Sequence, residues 1–418
     1  MTDHAAEKKV HDIQKVLEIS RSLAAANDLD SLLTLIIERS MELLDAERAT
    51  LFLYEPENNE LVSHIAAGVD EIRVPADRGI SGATVKSGST INVPDVYADR
   101  RFNPQVDRTT GFRTRSILSV PLWDYEASLV GVLQAVNKRG GPFGEYDITL
   151  AETLAAQAGV AIQRARLIGH YIEKQQMERA MQIARDIQQG LLPNSAPQID
   201  GFDVAGFSAP ADATGGDTYD FLPLPNGRWM IIVADASGHG VGPALVIAET
   251  RAMLRAVCLQ QPDISAVLQI VNRLLIADLH EARFVTCFFA LLDPPAGRMT
   301  FASAGHGPMI FYDRKADEFR QVAATTLPLG VMEQMSFDRT ISHEFSSGDF
   351  AVIMTDGFFE AVNDAGDQFG IERMIKRFRR DRDLPAAEMI AGLHKAVTEF
   401  TGRSAQADDL TAIVIRRR

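Results

Sequence analysis

Apolar and polar positions change period several times along the 418 residues, and those changes divide the chain. Residues 5 to 26 carry a thin stripe of Val10, Ile13, Leu17 and Ala24, too weak for a free-standing helix and suited to half of a pairing surface. A second helix starts from a cap at Asp28 or Asp30, with Leu29, Leu32, Leu33, Ile36, Ile37 and Leu44 on one face. Strand-like pieces follow at Ala49 to Tyr54, Leu61 to Ala66, Ser116 to Trp123 and Leu129 to Asn137; the turn Pro56-Glu57-Asn58-Asn59 splits the first two. Helices, a strand-rich middle and a closing helix predict an α+β domain ending near residue 165.

From Ile148 to Leu192 no proline interrupts a helical pattern. Leu154, Ala158, Ala161, Ala165, Ile168 and Ile172 alternate by four and three, which is heptad spacing. Met177, Ala180, Ala184, Ile187 and Leu191 resume the stripe out of phase, across Gln175-Gln176. At about 1.5 Å per residue this helix is on the order of 60 Å long, more than one domain covers, so a parallel two-helix linker is expected. It stops before Pro193, and 193 to 200 (PNSAPQID) is a loop. Beyond it the pattern is strand-rich, with helical stretches at 242 to 258, 263 to 282 and 385 to 401.

The second region repeats one design. The apolar run from Met230 to Ala234 ends in Asp235 and the turn Ala236-Ser237-Gly238-His239-Gly240. Phe350 to Met354 ends in Thr355-Asp356-Gly357, Asp408-Asp409 precedes Leu410 to Ile415, and Gly215-Gly216-Asp217 precedes Tyr219-Asp220-Phe221. One such aspartate is read most simply as a helix cap. Four acidic clusters, each beside a buried strand and a tight turn, predict carboxylates converging on a site for hard cations. Magnesium or manganese suits an all-oxygen set and zinc does not.

Hydrophobic residues are 46% of the chain, enough for cores of ordinary size. A formal net charge of -14 argues against a general nucleic-acid binder. No apolar run approaches bilayer length, and MTDHAAEKKV has no secretory apolar region. Cys258 and Cys287 form no CxxC pair, so neither a disulfide framework nor a thiolate zinc site is expected. A cytoplasmic protein without membrane or nucleic-acid partners is the expectation.

Two resemblances sharpen this picture. The segment GISGATVKSGSTINVPDVYADRRFNPQVDRTTGFRTRSILSVPL, Gly79 to Leu122, resembles the GAF domains of cyclic-nucleotide phosphodiesterases and bacterial adenylate cyclases. The family's NKFDE signature is met at Asn137, Lys138, Phe143 and Asp147, with Ile148 at its final acidic position. The resemblance implies ligand-facing roles for Ile80, Ser81, Asn103, Thr110, Thr114 and Gln134, with cyclic AMP or cyclic GMP as ligand. Where nucleotide-binding relatives tend to carry an aromatic and an acidic residue, His64-Ile65-Ala66-Ala67 offers alanines.

ARDIQQGLLP (184 to 193), GGDTYDF (215 to 221), VADASGHG (233 to 240) and FVTCFFALLD (284 to 293) then appear in order. ASAGHGPMI (302 to 310), LPLGV (327 to 331), TDGFFEA (355 to 361) and DDLTAIVI (408 to 415) follow. The series resembles the PPM protein phosphatases of the SpoIIE and RsbU type, which implies a β-sandwich flanked by helices and two Mn or Mg ions. Carried over, the resemblance implies that Asp235 bridges both metals and the Ala236 carbonyl binds one. By the same resemblance Asp356 and Asp408 would complete the second metal, Asp217 would serve the first directly or through water, and Asp409 would support the set. Better-known eukaryotic members carry a proposed general-acid His where Ser237 stands here.

The expected organisation is a pairing helix at 1–28, a GAF sensor at 29–165, a coiled-coil linker at 166–192 and a phosphatase domain at 193–418. The expected function is a sensor-regulated phosphoserine/phosphothreonine phosphatase, working as a homodimer paired through its GAF and linker helices. Resemblance implies a STAS-type anti-sigma-factor antagonist as substrate. The competing readings are a non-catalytic pseudophosphatase scaffold and, third, a serine hydrolase, although neither Ser237 nor Ser303 sits in a GxSxG elbow.

Overall fold

The computed structural model describes residues 2–26, 28–64, 72–104, 107–108, 111–279, 283–402 and 406–418. The chain forms two compact units, Met1–Gln176 and Met177–Arg418. Thr110 and the Ile65-Ala66-Ala67 stretch lie outside the described residues.

The first unit is built on a six-stranded antiparallel sheet. Its strands are β1 (Ala46–Glu55), β2 (Glu60–His64), β3 (Ile72–Pro75), β4 (Ile91–Val93), β5 (Ile117–Trp123) and β6 (Leu129–Lys138), in the order β3-β2-β1-β6-β5-β4. Helices α1 (Thr2–Ala25), α2 (Leu29–Leu44) and the start of α4 (Glu145–Leu191) supply one core. Asp28 caps α2 by accepting from the Ser31 amide at 2.8 Å, which places Leu32, Leu33, Ile36, Ile37 and Leu44 inward. Helix α3 (Gly79–Ser87) packs against β5 and β6, with Ile80 in a smaller core of Val93, Val96 and Ile117.

Helix α4 runs unbroken for 47 residues, about 70 Å. The heptad stripe divides along it. Leu154, Ala158 and Ala161 are buried and Ala165 packs beside them, all inside the first unit's own core. From Leu167 onward the apolar side chains Ile168, Tyr171, Ile172, Met177, Ile183 and Ile187 are exposed. The expected pairing seam is therefore left open only in its later half, because a heptad stripe serves an internal packing face as well as a partner helix.

The second unit is a sandwich of two five-stranded antiparallel sheets. One holds β14 (Ile341–Glu344), β11 (Arg298–Ala304), β10 (Val285–Asp293), β9 (Trp229–Ala236) and β8 (Asp217–Pro223), in that order. The other holds β13 (Glu318–Val322), β12 (Met309–Asp313), β15 (Phe350–Met354), β16 (Leu410–Arg417) and β7 (Phe202–Ala209). Alternation sends Tyr219, Phe221, Ile231, Val233, Phe288, Ile353 and Ile413 into the layer between the sheets. The opposite positions, such as Met230, Ile232 and Phe289, pack under α5 (Val241–Gln260) and α6 (Ile264–Asp278). Val352, Met354 and Val414 pack under α7 (Gly357–Glu360), α8 (Gly370–Asp381) and α9 (Ala386–Thr401). The architecture is α-β-β-α, as the resemblance implied.

Both cysteines are buried free thiols, pushed up by burial to about 11 at Cys258 and about 12 at Cys287. In the basic run of α8, Lys376, Arg379 and Arg380 face solvent, while Arg377 turns in to pair with buried Asp381 at 2.5 Å. Among the described residues no helix is long and apolar enough to cross a membrane.

Candidate functional site

The alternation that fills the sandwich also collects the acids. Counting back from Phe221 and Tyr219, Asp217 falls on the inner face of β8; counting on from Ile231 and Val233, so does Asp235 on β9. The two are direct cross-strand partners, and Thr286 of β10 pairs with Asp235 on its other side. The facing sheet contributes Thr355 and Asp356 beyond β15 and Asp408-Asp409 before β16. Thr355 ties the sheets together. Its hydroxyl donates to Asp217 Oδ2 at 2.7 Å and accepts from the Thr411 amide at 3.0 Å.

Tight backbone contacts hold the connecting loops. Asp409 accepts from the Ala211 amide at 2.7 Å and the Gly216 amide at 2.6 Å, one on each carboxylate oxygen. A Cβ on Gly357 would stand 2.1 Å from the Asp409 carbonyl, so only glycine allows the chain after Asp356 to lie so close. Gly216 likewise faces the Ala236 carbonyl, where a Cβ would come within 2.8 Å. On the other side of this loop Gln188, near the end of α4, donates Nε2 to the Gly215 carbonyl at 2.5 Å and accepts from the Gly215 amide at 3.0 Å. Nothing in the sequence marks Gln188 for this role, because an exposed-looking amide in a helix carries no local signal.

Burial and like charge shape the electrostatics. Burial pushes the Asp217 carboxyl well above its ordinary range, with Asp235 and Asp409 adding to the rise. Asp235 is pushed up to about 7, first by burial and then by Asp356, Asp408 and Asp409. Asp356 is raised by burial and by Asp408, and Asp409 by burial despite its backbone donors. These carboxylates sit near enough to oppose one another's ionisation. Among the described residues no three His, Cys, Asp or Glu side chains are spaced to hold a metal ion as they stand. The donor set nonetheless fits a hard dication: all-oxygen, buried at Asp217 and Asp409, half-buried at Asp235 and Asp356, exposed at Asp408, and destabilised by its own negative charge.

Neighbouring serines and histidines have other duties. Ser237 donates its amide to the Phe284 carbonyl at 2.9 Å, and its Oγ accepts from the Phe284 amide at 3.1 Å. Ser303 is fully buried and donates its hydroxyl to the His306 carbonyl. Neither serine is presented as a nucleophile. His239 is exposed, 3.4 Å from Asp212.

In the first unit the residues implied as ligand-facing have mixed settings. Ser81 is buried on α3, and half-buried Gln134 on β6 donates to Ser119 Oγ at 3.4 Å. Ser119 also accepts from Thr84 at 2.8 Å, so Thr84 and Ser119 belong to a polar pair that sequence reasoning did not name. Thr114 gives both its amide and hydroxyl to Asp107, at 2.8 and 2.7 Å. Ile80 is spent in the small core, and Asn103 is exposed in its loop. The signature residues are structural: Asn137 accepts from the Arg115 amide at 2.6 Å, and Lys138 pairs with Asp147 at 2.5 Å.

Residues 225–418 match the SpoIIE family, stage II sporulation protein E, and residues 28–162 match the GAF domain. Phosphoserine phosphatase RsbU of Bacillus subtilis (strain 168) is 27% identical over 247 residues, covering 59% of this chain and 72% of that protein. Dual 3',5'-cyclic-AMP and -GMP phosphodiesterase 11A of Takifugu rubripes is 32% identical over 189 residues; the match covers 42% of this chain and only 21% of the phosphodiesterase. The SiaA-PP2C domain of Pseudomonas aeruginosa shares the fold at a TM-score of 0.53 and 21% identity, over 59% of this chain and 99% of that domain. The chain therefore carries a GAF domain and, after it, a SpoIIE-type PPM phosphatase domain similar to that of RsbU.

Proposed function

We propose that the protein is a metal-dependent phosphatase acting on phosphoserine or phosphothreonine in a signalling protein, under control of its GAF domain. One observation carries the reading: carboxylates from both sheets meet at one end of the sandwich, and burial and mutual repulsion raise Asp217, Asp235 and Asp356 together. Asp217, Asp235, Asp356 and Asp408, with the Ala236 carbonyl, would hold two Mn or Mg ions, and Asp409 keeps the 211–216 loop in place. When bound, two such ions supply an activated water and neutralise phosphate charge. Uncatalysed phosphate-monoester hydrolysis needs accelerations up to ~10²¹, and acid–base help alone supplies about 10² to 10⁴.

The chain's own contribution is placement. Thr355 fixes one oxygen of Asp217, and Asp409 fixes the amide of Gly216. The name and likeness of RsbU support a phosphoprotein substrate, and a STAS-type antagonist in the cytoplasm is the specific candidate. Likeness to a dual cyclic-AMP and cyclic-GMP phosphodiesterase supports a cyclic nucleotide as GAF ligand. The exposed stripe from Leu167 to Ile187 supports pairing with a second copy along α4. The intact acidic set argues against the pseudophosphatase reading.

Phosphate release from a phosphoserine protein tests the proposal. Release should require manganese or magnesium and stop with chelator; a chain that binds a phosphoprotein without hydrolysing it in manganese is a scaffold instead.

A further inference from the structure

His306 lies in the turn Ala304-Gly305-His306-Gly307-Pro308 at the end of β11, and its side chain is buried, with 3% of the residue exposed. Nδ1 is 3.0 Å from Thr286 Oγ1, and Thr286 is the cross-strand neighbour of Asp235. The turn leads into β12 of the facing sheet, and β12 pairs with β15, the strand before Asp356. Nε2 is buried without a hydrogen-bond partner among the described residues. Polar atoms are seldom left in that state in a folded core without a use.

The turn is held before the ring is placed. The Gly305 amide donates to the Thr326 carbonyl at 2.8 Å, the Thr325 amide donates to the Ser303 carbonyl at 2.8 Å, and the Ser303 hydroxyl bonds the His306 carbonyl. The turn carries the chain from β11 in one sheet to β12 in the other, so a ring fixed at its base and held on Thr286 braces this crossover beside Asp235.

We propose that His306 is a positioning residue: through Thr286 it holds Asp235 in the place that the shared cations require. The inference rests on the metal-site reading above. His306 itself touches no substrate. The Thr355 to Asp217 bond ties the facing sheet to the site separately.

The test uses the full chain and manganese alone, followed by the loss of the free-ion paramagnetic resonance signal. Turnover of p-nitrophenyl phosphate and the melting temperature are measured beside it. His306→Leu and Thr286→Val should each weaken manganese binding at least tenfold. At saturating manganese, KM for p-nitrophenyl phosphate should stay within about twofold of wild type. His306→Gln and His306→Asn keep a neutral donor and acceptor, and one of them should recover most of the affinity. If His306→Leu does not fold, Thr286→Val decides. Wild-type affinity in Thr286→Val, or in a folded His306→Leu, overturns the inference and leaves the metal site standing. A wild-type chain that binds no manganese refutes the metal site, and this inference falls with it.

Discussion

Gln188 and Gly215 exchange two hydrogen bonds, side-chain amide to backbone, at 2.5 and 3.0 Å. Gly215 is two residues before Asp217, and the intervening Gly216 amide is held by Asp409. The last turns of α4 therefore grip the loop that leads into the acidic cluster. Gln188→Leu keeps the helix but removes both bonds. Turnover should fall at least tenfold and the manganese requirement should rise, with little change in melting temperature. Unchanged kinetics in that variant would show the grip to be incidental.

The same helix passes Gln175-Gln176, where its apolar stripe changes phase. One residue inserted after Gln175 rotates everything beyond it by about 100°, whereas seven leave it within about 20°. Control of the phosphatase by the GAF domain should be lost or locked by the first insertion and largely kept by the second. Equal behaviour of the two, with the oligomeric state unchanged by sedimentation, would make the linker a passive tether.

Burial lowers the His306 imidazole from an ordinary 6.5 to about 4, so the folded protein holds it neutral. The unfolded chain takes up that proton first as pH falls. The resulting stability is intact above about pH 6.5 and drains away toward pH 4, by about 3 kcal/mol in all. Raised carboxylates such as Asp235 work in the opposite sense, so the useful quantity is a difference. Wild type minus His306→Gln, followed by denaturant unfolding in chelator, should decline through that window. A pH-independent difference would mean the ring is not held neutral.

Thr114 is bonded twice to Asp107 and is one of the residues proposed to meet a cyclic nucleotide. Removing a partner of this kind in a buried site costs about 1–3 kcal/mol, so Thr114→Val should weaken nucleotide binding roughly 5- to 150-fold. Calorimetry with cyclic AMP and cyclic GMP reads this directly. If wild type gives no heat with either, the ligand assignment is wrong.

Much of the second unit was legible because sheet alternation is strict. Once the runs at Asp217 and Asp235 are strands, period two sends both acids to the inner face, whereas Asp356 lies past the end of its strand, one residue after Thr355. The glycines beside them are equally forced, as Gly357 against the Asp409 carbonyl shows. What stayed hidden depends on partners far along the chain. Gln188 meets Gly215 across 27 residues, and Thr355 meets Asp217 across 138, with nothing local to mark either. Helix periodicity misled in one place. Leu154, Ala158 and Ala161 show the same heptad spacing as a pairing seam but are buried within their own unit. The glycines and proline around His306 mark a turn, but nothing local marks the bond from its ring to Thr286.

If Asp235 and its neighbours hold two catalytic cations, Asp235→Asn is the variant that must show it. Asparagine keeps the size and removes the charge that both ions would share. Wild type should bind two manganese ions per chain by calorimetry and turn over p-nitrophenyl phosphate only when loaded. Asp235→Asn should lose at least 10²-fold in kcat while remaining folded. Adding Asp356→Asn or Asp408→Asn should cost little more, because such a site acts as a unit. Manganese-dependent turnover at the wild-type rate in folded Asp235→Asn would rule out the two-cation site.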